Sequence, residues 1–112
     1  KHATHMIEMS EYTIDQQSLE NYLNSLIGKL YKILPIRENS PETFPTYARG
    51  LRDELAGFRG LADSVCHDPA LVSMISLLQN FVDSPECPVV DVKREVFGMI
   101  SSCKKMIDRY IY

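Results

Sequence analysis

Cys66, His67 and Asp68 stand side by side, the one stretch where a nucleophile, a base and a carboxylate meet. A cysteine nucleophile needs a base within hydrogen-bond reach. Consecutive helix positions point in different directions, so these three do not build that geometry by themselves. Their ordinary roles are a buried thiol, an exposed imidazole closing one helix and a carboxylate capping the next. Lys1 to His5 read as a vector-derived remnant ahead of a native Met6. His2 and His5 then drop out, and His67 is the only native histidine.

Arg59 is the other residue that could act with His67. Small helical bundles of the HEPN nuclease type carry an Arg, four to six further residues, and then His. Seven residues separate Arg59 from His67. The motif is therefore not met, and only scaffold size and helix count are compatible with that class. On one continuous helix the two would lie about 12 Å apart along the axis, at 1.5 Å per residue.

Other chemistries lack their ligands. Structural zinc sites use short paired spacings, and di-iron bundles use inward Glu-x-x-His repeats. Cys66, Cys87 and Cys103 are widely spaced and odd in number, which suits reduced thiols. Gly57-x-x-Gly60 falls inside a helical pattern with no strand before it, so it is no phosphate loop. No metal, cofactor or catalytic set is expected. The last helix carries Arg94, Lys105 and Arg109 on one outer face. A nucleic-acid stripe is conceivable there, but a solvated face fits the acidic total better.

These residues need elements to position them, and the apolar spacing supplies four. Helix 1 is predicted over Ile14–Leu34, with Thr13 and Gln16 as a capping box and Pro35 as its stop. Its stripe is Leu19, Leu23, Leu26, Ile27, Leu30 and Leu34. A linker with prolines at 35, 41 and 45 follows. Helix 2 is predicted over Thr46–Cys66, with Tyr47, Leu51, Leu55, Phe58, Ala62 and Val65 inward. Helix 3 runs Pro69–Val82 behind an Asp68 cap. Helix 4 runs Val92–Tyr110, with Asp91 as cap and Val89 and Val90 as staple. Residues 6–13 form an N-terminal arm, and 14–112 one domain. The fold expected is all-α, a four-helix bundle with antiparallel up-down-up-down order.

The chain's 112 residues fit one domain, and 45% hydrophobic with 24% charged residues is ordinary for a globular protein. The formal charge is -3, or -4 without Lys1. That gives no general attraction to nucleic acid or anionic membrane. No apolar run approaches a membrane span, and no secretory signal precedes Met6, so the expected compartment is the cytoplasm.

What remains is apolar surface. Helices 1 and 3 carry apolar arcs wider than a simple bundle needs, and Ala70–Val82 has no charge at all. Gly50, Gly57 and Ser64 recur every seven residues on helix 2, a row that permits close approach by another helix. Candidate interface residues are therefore Tyr31, Ile27, Gly50, Gly57, Ser64, Met74, Leu77 and Phe81. The expected function is a non-enzymatic helical interaction module that self-associates or docks on a larger protein. The alternatives are a HEPN-like nuclease or toxin component using Arg59 and His67, and a weak nucleic-acid-binding regulator using the basic face of helix 4.

Overall fold

The computed structural model describes residues 6–8, 13–62 and 65–111, with side chains from Gln16 onward. The vector remnant expected at 1–5 lies outside them. In the expected arm, β1 (Met6–Glu8) pairs antiparallel with β2 (Thr13–Asp15), which takes the first two residues expected of helix 1, with Met6 facing Asp15 and Glu8 facing Thr13. Four helices follow: α1 (Gln16–Asn39), α2 (Phe44–Leu61), α3 (Pro69–Asp83) and α4 (Val89–Tyr110).

Each helix contributes one stripe to a shared core. Leu19, Leu23, Leu26, Leu30 and Ile33 come from α1; Phe44, Ala48, Leu51 and Leu55 from α2. Leu71, Met74, Leu78 and Phe81 come from α3, and Val92, Val96, Met99, Ile100, Cys103, Met106 and Ile107 from α4. The order is up-down-up-down. Gln16, which opens α1, donates to the carbonyl of Tyr110, which closes α4 (3.2 Å). Phe44 at the start of α2 meets Phe81 near the end of α3, ring centroids 5.3 Å apart. The principal seams are α1 with α4 and α2 with α3.

Several local expectations need correction. Pro35 does not stop α1, which runs on to Asn39. An interior proline costs about 3 kcal/mol. Here Ile36 packs against the core, and Arg37 donates to the Cys87 carbonyl (2.8 Å) while lying 5.7 Å over the Phe44 ring. Those contacts lie beyond the proline and offset it. The linker shrinks to 40–43, and α2 starts at Phe44 with Pro45 in its first turn, where its missing N–H costs nothing.

At its other end α2 stops at Leu61, five residues early. Gly60 is a weak helix former, and Ala62 has left helical geometry at φ -105, ψ 89. Ala62 and Val65 are still buried, but from the link and not from a helical stripe. Asp91 does not cap α4: Pro88 holds that position and Asp91 sits in the first turn, paired with Arg94 at 3.1 Å. Val90 is 69% exposed, so it staples nothing. Nor does Thr13 hold the cap position of α1, since it opens β2 and the helix starts only at Gln16.

Candidate functional site

The Cys66-His67-Asp68 stretch forms a turn at the end of the bundle where α2 stops and α3 begins. Asp68 caps α3, its Oδ1 accepting from the Ala70 N–H at 2.8 Å. Its Oδ2 accepts from Arg109 Nη2 and from the Tyr110 hydroxyl, both at 2.6 Å. One carboxylate, 3% exposed, thus ties the start of α3 to the end of α4. Burial pushes this carboxyl up, but the hydrogen bonds from Tyr110, the Ala70 N–H and Arg109 outweigh it and hold it below its ordinary value. A carboxylate so occupied is a fastener and not a free base.

Arg59 arrives at the same turn. Its Nε donates to the Cys66 carbonyl at 2.6 Å. The spacing expected for one continuous helix does not apply, because α2 ends at Leu61. His67 is exposed, and among the described residues its imidazole has no hydrogen-bond partner. A catalytic histidine needs an orienting bond to fix its tautomer. His67, Pro69, Arg109 and Tyr110 line an open depression of ≈ 580 Å³ over this end.

Burial pushes the Cys103 thiol up to about 12, and its Sγ lies 3.8 Å from Met74 Sδ inside the core. It serves as a small hydrophobe. None of the three cysteines is in a disulfide. Among the described residues, no three of His, Cys, Asp or Glu cluster so as to hold a metal, and no helix is long and apolar enough to cross a membrane. Of the basic face of α4, Arg94 pairs with Asp91 and Arg109 with Asp68, so two of its three cations already have anionic partners.

The eight candidate interface residues do not share one surface. Met74 and Phe81 are buried in the chain's own core, which withdraws them from any partner. Leu77 packs half-buried against that core. The uncharged face of α3 is served from α2, where Arg52 donates to Gln79. Gly50 and Gly57 are exposed, and a Cβ on either would meet nothing within 4 Å, so no helix of this chain uses that row. Ser64 lies outside the described residues. Gly50 borders a shallow groove between α1 and α2, where Lys29 pairs with Glu54 at 2.7 Å and the Tyr22 hydroxyl also donates to Glu54. Tyr22 stacks on Phe58 at 4.2 Å, and the Tyr47 hydroxyl donates to the Lys29 carbonyl. That seam is satisfied internally.

Tyr31 and Ile27 lie elsewhere, on the outer edge of the α1–α4 seam. The Tyr31 ring meets Phe97 of α4 edge to face, centroids 6.2 Å apart and planes at 74°. Tyr31 is 44% and Phe97 49% exposed. Ile27 and Leu34 flank Tyr31 at helical spacing, half-buried, and Val90 lies seven residues before Phe97 on the same face of α4. Phe97 and Val90 were missed as interface candidates. The signal was available: both fall more than about 100° from the centre of the α4 stripe on a helical wheel, where solvent contact is expected.

No known protein family, characterised protein or solved structure matches this chain.

Proposed function

We propose that this chain is a non-enzymatic helical interaction module, and that its docking surface is the outer edge of α1 and α4. The observation that carries this reading is the exposed Tyr31–Phe97 pair, continued by Val90. Large aromatic side chains contribute disproportionately to protein interfaces and bring little rotamer entropy to lose. Here two of them support each other in an edge-to-face contact, which holds them in place before any partner arrives. Single exposed apolar residues such as Leu61 and Val72 need no such explanation.

The test is capture from the source cell by wild type and by Phe97→Lys. Phe97 is half exposed, so the change spares the core. Wild type is expected to retain a defined protein, either this chain or another, and Phe97→Lys to lose it. Identical captured sets would refute the assignment of this surface.

One observation favours a second reading. The bond from Arg59 to the Cys66 carbonyl places an arginine on the turn that carries His67, as a nuclease pair would need. Against it stands the unoriented imidazole. RNA incubated with purified protein is expected to stay intact; cleavage lost in both Arg59→Ala and His67→Ala would replace the interaction reading.

A further inference from the structure

We infer that the partner on this surface is a second copy of the same chain, packed across a two-fold axis parallel to the helices, so that α1 of each copy lies on α4 of the other. The inference rests on the interaction reading above and adds the occupant and its geometry.

Size is the first argument. α1 has 24 residues and α4 has 22, giving lengths of about 36 and 33 Å at 1.5 Å per residue. Two such helices side by side, each about 10 Å across, present an outline of roughly 700 Å². A stable dimer buries about 800 Å² on each partner. The whole edge is therefore of the order that one copy covers.

Charge placement is the second argument, and it selects the symmetry. Tyr31 and Phe97 are level with each other across the seam. Glu38 lies seven residues beyond Tyr31 and Lys93 four residues before Phe97. Because α1 and α4 are antiparallel, both are displaced towards the same end, by about 10 and 6 Å. Both are exposed, and among the described residues neither has an ion-pair partner. A two-fold parallel to the helices sets Tyr31 against Phe97 of the second copy and Glu38 beside its Lys93, twice over. A two-fold at right angles lays α1 on α1 and α4 on α4. Pivoting at Tyr31 and Phe97, it sets Glu38 against Asn24 and Lys93 against Ser101 of the second copy, and leaves the four charges without counter-charges. The parallel arrangement therefore has an uncharged aromatic centre and complementary charges towards one end, as interfaces commonly do.

The experiment is solution mass by light scattering over a concentration series at low salt. Four variants accompany wild type: Phe97→Lys, Glu38→Lys, Lys93→Glu and the double exchange. All alter exposed side chains, and a retained helical circular-dichroism spectrum with a cooperative melt checks that each stays folded. Wild type is expected at twice the chain mass of 12.8 kDa. Phe97→Lys is expected to raise the dimer dissociation constant more than about tenfold, since it buries an unpaired charge at the centre. Each single exchange is expected to raise it about threefold and the double exchange to restore it, the scale of exposed ion pairs. Wild type at the monomer mass up to hundreds of micromolar would overturn the inference. So would a dimer indifferent to Phe97→Lys, or a double exchange no better than the singles. A monomer that still captures another protein through Phe97 would sink the second copy while leaving the interaction reading in place.

Discussion

Leu78→Asp is expected to leave the protein without a cooperative unfolding transition. Leu78 is fully buried in the middle of α3, within the core shared by all four helices. A carboxylate placed there has no partner. It must take up a proton, draw water inward or force α3 away, and each route costs several kcal/mol. The whole domain is held by roughly 5–15 kcal/mol, so one such change removes much of its stability. Ile75→Asp is expected to be milder, because Ile75 is only half-buried and the carboxylate can turn towards water. Lys105→Ala, on the outer face of α4, should fall within about 0.5 kcal/mol of wild type. Urea unfolding followed by circular dichroism ranks the three. Equal midpoints for Leu78→Asp and Lys105→Ala would show that the core lies elsewhere.

Asp68→Ala is expected to cost about 2–3 kcal/mol at neutral pH, the largest effect of any polar substitution among the described residues. Losing a helix cap costs about 1 kcal/mol, and the charged hydrogen bonds to Tyr110 and Arg109 add to it. Arg109 is half exposed, so its share is small. The same carboxylate makes stability depend on acid. Its folded pKa lies below the unfolded value, so the folded chain holds fewer protons in the window between them. Its contribution is complete above about pH 4–5, near and above the ordinary aspartate value. It is lost as pH falls through that value towards the folded one. Asp68→Asn retains an acceptor for the cap but not the charge. The gap between its urea midpoint and that of wild type should therefore be wide at pH 7 and narrow at pH 2. A gap that stays constant would remove Asp68 from the acid response.

Helix count and most of the core follow from apolar spacing, because Leu and Ile at three- and four-residue intervals have few ways to be buried together, whereas the helix order rests on up-down-up-down being the simplest topology. The Asp68 cap is equally legible: Asp before Pro satisfies an N–H at a helix start with local chemistry. Helix ends were less so. Whether α1 stops at Pro35 depends on Arg37 reaching Cys87, fifty positions away in the chain. Whether Asp68 also holds Arg109 and Tyr110 depends on α4 returning to the same end. Phe44 falls in the linker that the prolines predict, yet it is wholly buried beside Phe81, since α2 begins before Pro45. On the functional side, the charge-free run in α3 pointed to an interface. Its own bundle covers Met74 and Phe81, while Phe97, which lies off the apolar stripe of α4, is at the surface.

Pro35 gives α1 an uneven resistance to opening. Without an N–H it cannot bond to the carbonyl of Tyr31, so the helix lacks one rung there. Upstream, Leu19, Leu23, Leu26 and Leu30 bind the helix into the core, and their amides can exchange with deuterium only when the whole bundle opens. Downstream, the last turn to Asn39 hangs on Ile36, on Arg37 and on the bond from the Ser40 N–H to the Ile36 carbonyl. That short segment can detach and re-form while the rest stays native. In exchange experiments α1 then behaves as two units, with the boundary at Pro35. The carbonyl at that boundary belongs to Tyr31, whose ring sits at the centre of the exposed aromatic edge.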